Sequence, residues 1–348
     1  MNRQFPALRG LAIFLVVINH SITLGLAAAR EAGLATPQVE KVILLAIKEL
    51  GIIAVPIFLF LAGSFFVYAA QGKNIRQAYK LVGPGLLHTL TPYLIWSLVY
   101  YLVVYLLFGE GYSLLGYAKN LAVGYPFNFV PLLMAFYVIA PLLVWASKRY
   151  PWAVIALFFL YQLFLINVLK PGIIFGLQFP SWLDFLALPV LRLPLALWGV
   201  FYPMGVIYSL HQSKITPVLK RAWWLFALVS LVLYVFAVLT LASYLEVPLA
   251  EVFAPVVAIF LLPVIRRDWL PFARPLEKLG KRSYGLYLMN LIIINLGLAA
   301  IGSFLPWLLS VMTVLAILLA AITLLLASGF MSWVERGPGR AFYRYLFG

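Results

Sequence analysis

The chain contains no cysteine in its 348 residues. Disulfides, a thiol nucleophile and a thiolate-held metal are excluded with it. Histidine is nearly as scarce, since His20, His88 and His211 stand far apart. A metal centre needs several N or O donors at close spacing, so no metal site is expected. Charge is the third shortage: 10% of residues are charged against 65% hydrophobic, and mean hydropathy is +1.04. Soluble domains carry about 25% charge, which excludes a soluble fold. Acidic residues are fewest of all, 10 against 25 Lys and Arg. The resulting net charge of +15 is no footprint for nucleic acid. The basic residues lie in short stretches between apolar runs, where orientation in a bilayer demands them.

What remains is a series of apolar runs near twenty residues long. These read as bilayer-spanning helices, because barrel strands would alternate polar and apolar. The expected class is an all-α polytopic membrane protein, one transmembrane domain over residues 1–348, with about ten transmembrane helices. The expected spans are 7–28, 50–70, 84–108, 127–147, 152–169, 191–210, 223–245, 249–265, 283–301 and 305–333. With these bounds, 19 of the 25 Lys and Arg fall on one side, while seven of the ten acids fall on the other. The positive-inside bias then puts both termini in the cytoplasm of a cell (cytoplasmic or inner) membrane. The first run is too long for a signal peptide and has no small-residue cleavage site, so it is expected to stay as a membrane helix. The longest connections, 29–49, 109–126 and 170–190, are expected as outside loops. The basic, aromatic tail ERGPGRAFYRYLFG is expected to lie on the membrane surface.

The first span carries the chemistry. Arg9 and His20 are eleven residues apart, about three helical turns, so they share one face roughly 16 Å apart along the axis. An arginine at the cytoplasmic end of a span is by itself an orientation anchor. A histidine in the middle of one is costly and marks a site by default. A neutral imidazole there suits a general base that takes a proton from a hydroxyl.

The setting LRGLAIFLVVINH at 8–20, an Arg-x10-His pattern, resembles the signature of the acyltransferase-3 family of membrane-bound O-acyltransferases. Residues 51–66, GIIAVPIFLFLAGSFF, are similar to that family's second helix. Pro92-Tyr93-Leu94 stands where its third helix follows a basic stretch, and LGKRSYGLYL at 279–288 resembles its late L-G-x-x-S-Y-G-I-Y-L motif. The resemblance covers essentially the whole chain. The departures are Ala62 for a usual serine, His88 where an arginine is common, FNFVP at 127–131 for a histidine-tryptophan stretch, and Asn290 for a frequent histidine.

The resemblance implies transfer of an acyl group, most often acetyl from acetyl-CoA, to a hydroxyl of a glycan or lipid-linked sugar. Acyl-CoA is then a donor substrate, and no tightly bound cofactor is expected. Its phosphates need cations, for which Arg9, Lys73, Arg76, Lys80, His88 and Arg282 are the candidates. The basic run 266–282 serves equally well as a topology signal. His20 is the expected base. Ser64, Asn19, Asn128 and Asn290 are candidates for steadying an oxyanion or orienting the imidazole. Asn128 and Asn290, with Trp182 and Asp184 from the aromatic 170–190 stretch, are also candidates for the acceptor. That stretch fits an interfacial anchor as well. A transporter or flippase for a small polar or lipid-linked substrate is the rival. It is disfavoured because nearly all acids fall in expected loops or at span ends, with Glu251 the exception.

Overall fold

The computed structural model describes residues 4–348, and among these there are helices and no strand. Helices follow from the medium, because hydrocarbon offers no partner for backbone N–H and C=O groups. The axis of the bundle is α1 (Phe5–Glu31). Next come α2 (Gln38–Leu50) and α3 (Ala54–Ala69), joined through a 3-10 turn into one apolar segment of 32 residues. A capping box between Asn74 and Gln77 opens α4 (Ile75–Tyr79), which leads into α5 (Val82–Phe108). After α6 (Leu114–Val123), helices α7 (Phe129–Arg149) and α8 (Pro151–Leu169) form an antiparallel pair around Tyr150.

Helices α9 (Arg192–Trp198) and α10 (Phe201–Leu210) meet at 47°. Gln162 of α8 sits at that break. Its Nε2 donates to the Leu197 carbonyl at 3.3 Å and its Oε1 accepts from the Val200 amide at 2.9 Å. The backbone groups freed by the bend are thus satisfied by a buried amide, as a membrane interior requires. The last third comprises α11 (Gln212–Leu241), α12 (Leu249–Ile259), α13 (Ala273–Lys281), α14 (Ser283–Phe304), α15 (Met312–Arg336) and the short α16 (Tyr343–Phe347).

Several expectations need correcting. Among the described residues, eight helices are long and apolar enough to cross a membrane, nine if the bent α9–α10 pair is one span. In the eighth expected span, 249–265, α12 has 11 residues, about 16 Å of rise against a hydrocarbon core near 30 Å. Two stretches expected as loops are partly helical. In QVEKVILLAIKEL at 38–50, four charges mask an apolar stripe whose Leu44 and Leu45 are buried. Within 109–126, the Ser113 side chain caps α6 by accepting from the Gly116 amide. The C-terminal segment packs against the bundle. Trp96 Nε1 donates to the Leu346 carbonyl at 2.8 Å, and Phe347 is buried against Trp96 and Phe330 at ring-centroid distances of 6.1 and 6.0 Å.

The basic stretch 266–282 is the largest difference. Instead of a solvated loop it folds into α13, which lies across the Arg9 half of α1. Outside the apolar helices, Arg267 pairs with Glu277 and holds that carboxyl below its ordinary pKa, chiefly through the hydrogen bond. The crossing is backbone against backbone. A Cβ on Gly10 would collide with the Leu276 carbonyl, and one on Gly280 with the Pro6 carbonyl. Small residues let membrane helices approach closely enough for dispersion to hold them.

Because no flexible side chain can yield there, Gly10→Val is expected to cost about 1–3 kcal/mol or more. In thermal unfolding of the detergent-solubilised protein, it should lower the apparent Tm by several degrees or abolish a monodisperse species. Gly83→Ala, with nothing within 4 Å of the added methyl, is the control that should leave the Tm where it was.

Candidate functional site

Two polar contacts join α1 to α14 within an otherwise apolar interface. Arg9 Nη2 donates to Ser283 Oγ at 2.9 Å, and His20 Nδ1 lies 2.6 Å from Asn290 Oδ1. Both pairs ascend together, so the two helices run parallel here. The steps differ, eleven residues on α1 against seven on α14. That is a mismatch of about 6 Å at 1.5 Å per residue, which the long arginine side chain spans.

The tautomer of His20 follows from its partner. Asn290 is fully buried, and its Nδ2 is committed to the Leu286 carbonyl at 3.4 Å and to the Tyr287 carbonyl. A flipped amide would set carbonyl oxygen against carbonyl oxygen. Oδ1 therefore faces the imidazole, and as it can only accept, the ring proton belongs on Nδ1. Nε2 is left with its lone pair, the form a general base needs. Asn290 therefore lies where it can orient the His20 ring. The sequence leaves this role and that of an acceptor ligand open.

Arg9 lines a cavity of about 450 Å³. Tyr137 of α7, Ser283, Tyr284 and Tyr287 of α14, and His88 and Thr89 of α5 share its wall. Ser283 opens α14, so the positive end of a 22-residue helix lies at the same wall. Among the described residues no carboxylate forms an ion pair with Arg9. A cation without an anion, set in a mostly apolar cavity beside a helix N-terminus, is suited to an anionic ligand. His88 Nε2 is in contact with the Arg344 guanidinium, and Gly348 completes the rim. The two ends of the described chain therefore meet at one end of the bundle.

The other candidates part company with this cavity. Lys73 is exposed and donates to the Ala69 carbonyl at 2.6 Å, at the end of α3. Arg76 and Lys80 are exposed and line no part of it. Arg282 is turned towards α15, donating to the Ser328 carbonyl at 3.0 Å, to Ser332 Oγ at 2.5 Å and to Glu335 at 2.5 Å. Of the six expected donor contacts, Arg9 and His88 converge. Ser64 is fully buried, with its hydroxyl donating to the Gly205 carbonyl at 3.1 Å. There α3 and α10 cross so closely that a Cβ on Gly205 would strike the Phe60 carbonyl. Ser64 is a helix-packing group in this arrangement.

Asn19 donates to the Lys48 carbonyl at 3.0 Å, on the side of α1 that faces α2. Asn128 starts α7 without a side-chain cap, while its neighbours Phe127 and Phe129 pack on Tyr287 at 5.8 and 5.6 Å. Trp182 and Asp184 sit on an exposed 3-10 turn at Ser181–Leu186, remote from the Arg9 cavity wall. A separate cavity of about 530 Å³ between α8, α10, α11 and α12 is apolar apart from Tyr208, His211 and Lys214. His211 there faces the Ser147 carbonyl at 3.0 Å.

Ser283, Tyr284 and Tyr287 lay inside the quoted 279–288 motif but were not singled out, because their spacing alone does not say which helix they face. Tyr137 had no sequence signal at all. Glu49 is 5% exposed with its Oε1 unpartnered, and its neighbour Lys48 meets Asn19 of α1, placing it beside the middle of that span and not in a loop.

A bundle of apolar helices, with a part-buried histidine held against a buried amide and an arginine without an ion pair on a cavity wall, defines the class as a polytopic membrane protein. Comparison with known families agrees. A sequence model described as an acyltransferase domain, that of the acyltransferase-3 family, matches residues 2–331. The chain belongs to that family and is a membrane acyltransferase. No curated protein and no solved structure matches it significantly.

Nitrogen-15 spectra of histidine-labelled protein test the tautomer directly. A neutral His20 should show a protonated Nδ1 and a bare Nε2, and Asn290→Leu should remove that preference. An Nε2-protonated ring in the parent chain would contradict the assignment.

Proposed function

We propose that the protein moves an acyl group, most often acetyl, from acetyl-CoA at the basic end of the bundle to a hydroxyl of a glycan or lipid-linked sugar. His20 is the general base. The observation that carries the reading is that His20, on the helix that also presents Arg9 to the cavity, is paired with Asn290 of α14.

In this mechanism the donor's phosphates meet Arg9, with the Ser283 end of α14 beside it, and the pantetheine arm runs along the aromatic wall towards His20. His20 Nε2 takes the proton from the acceptor hydroxyl. The oxygen attacks the thioester carbonyl, the C–S bond breaks, and the coenzyme A thiolate leaves with the proton returned by the imidazolium. Asn290 holds the Nδ1 proton throughout, which stabilises the imidazolium without itself titrating. Arginine serves better than lysine at the phosphate because its planar fork binds two oxygens at once.

The rival, a proton-coupled transporter or flippase, has one observation in its favour. Glu49 is a buried carboxyl within an apolar segment, a feature such carriers use. It lines neither the Arg9 cavity nor the contact between α1 and α14, and membership of an acyltransferase family weighs against it.

In nanodiscs, His20→Gln is expected to reduce acyl transfer by about 10²–10⁴-fold while leaving acetyl-CoA binding intact. Arg9→Ala should weaken acetyl-CoA binding by roughly 10–100-fold, the worth of a hydrogen bond to a charged group. Glu49→Gln should leave transfer unchanged. No acyl transfer by the parent chain, together with substrate flux that Glu49→Gln abolishes, would favour the carrier.

A further inference from the structure

A cavity of about 410 Å³ lies at the opposite end of α1 from Arg9. Leu24 and Glu31 of α1, Tyr100 of α5, Glu110 and Tyr125 from the connections around α6, and Asn295 of α14 are among its walls. Its alignment with the site is set by periodicity. Arg9, His20 and Glu31 follow one another at intervals of eleven residues, each within about 20° of three whole turns, so all three mark one face over roughly 33 Å. The parallel helix α14 presents Ser283 to Arg9, Asn290 to His20 and then Asn295 to this cavity. Along α1, His20 therefore lies between the two chambers, although it is part of the wall of neither.

The chambers differ in sign. The first holds Arg9 and His88, whereas the second has two carboxylates and no Lys or Arg on its wall. Asn295 is buried, at 9% exposed, and its Nδ2 is spent on the Leu291 carbonyl at 2.8 Å. Its Oδ1 has no protein partner and is left as a hydrogen-bond acceptor in the cavity. Glu31 and Glu110 are exposed, Glu110 Oε2 accepting from the Tyr112 hydroxyl at 3.1 Å, and with the buried amide oxygen of Asn295 they make the wall rich in hydrogen-bond acceptors. Tyr100 and Tyr125 stand edge to face at 6.1 Å and add apolar ring surface with hydroxyl tips. Acceptors on an aromatic wall complement a ligand rich in O–H donors, and the carboxylates repel phosphate, sulfate or uronate.

We infer that this chamber binds the acyl acceptor and selects for an uncharged polyhydroxyl compound, such as the neutral end of a glycan, over an anionic one. The word acceptor rests on the proposed function; the ligand chemistry rests on the cavity alone. Donor and acceptor are then sorted by charge. The polyanionic coenzyme is favoured at the Arg9 end and rejected at the Glu31 end, so neither substrate blocks the other's chamber.

The absence of cysteine permits a test that needs no turnover. Ala28→Cys puts a unique thiol in the chamber wall, and Ala299→Cys, also on that wall, replaces it if the first variant fails to fold or to react. Labelling by N-ethylmaleimide is followed in nanodiscs without acyl-CoA, in the presence of the methyl glycosides of glucose, galactose and N-acetylglucosamine, or of glucuronic acid. At least one neutral glycoside should slow labelling saturably, by about threefold or more when bound, and the glucuronoside should not. Adding Asn295→Leu should remove the protection, and Glu31→Gln with Glu110→Gln should let the glucuronoside protect as well. No protection by any neutral glycoside, or equal protection by the glucuronoside in the unaltered chamber, would overturn the inference. Saturable protection by a glycoside to which the parent chain transfers no acyl group would leave the chamber standing and remove the acceptor assignment instead.

Discussion

The polar pairing between α1 and α14 is the interaction on which the site depends. Arginine and histidine within an apolar helix are costly unless another helix supplies partners, since lipid cannot. Ser283 and Asn290 are those partners, and the buried backbone of α14 fixes Asn290 in turn. The pairs also fix register. Sliding α14 by one residue would turn Asn290 about 100° away from the imidazole. A helix that must satisfy two points along its length has little freedom left.

The close crossing of α13 on α1 supports this pairing from outside. Gly10 adjoins Arg9, and Gly280 lies three residues before Ser283. The two glycines that allow backbone contact are therefore next to the two residues that must meet. Lys278 and Lys281 are carried on the same short helix, which shows why a basic run that looks like a topology signal can also be a structural element. The α3–α10 crossing repeats the device with Gly205 and Ser64. Here the serine serves packing, through a hydrogen bond to the backbone it lies against.

Charge is segregated along the molecule as well as across the membrane. The cavity at the Arg9 end holds a guanidinium, the one at the Glu31 end carboxylates, and His20 lies between them along α1. On the proposed function, such a separation gives each chamber its own ligand preference without any moving part. It also accounts for the unpaired state of Arg9: a neighbouring carboxylate would satisfy the guanidinium and remove its attraction for an anion.

Composition and periodicity alone determined the membrane class, the helical architecture and the shared face of Arg9 and His20, because apolar run length and the 3.6-residue repeat are local properties. They could not decide which cations converge. Lys73, Arg76, Lys80 and Arg282 have the right charge and sit in the right sequence neighbourhood, yet the first three are exposed and the last is turned to α15. Nor could they tell that Asn290 orients the histidine, that Ser64 is bound to a carbonyl, that Glu49 is buried beside the middle of α1, or that 266–282 folds onto it. Each of these depends on where two helices far apart in sequence cross, 274 positions in the case of Arg9 and Ser283. The spacing of residues along one helix sets which of them share a face. The packing of the others sets what that face meets, and only the tertiary structure holds that information.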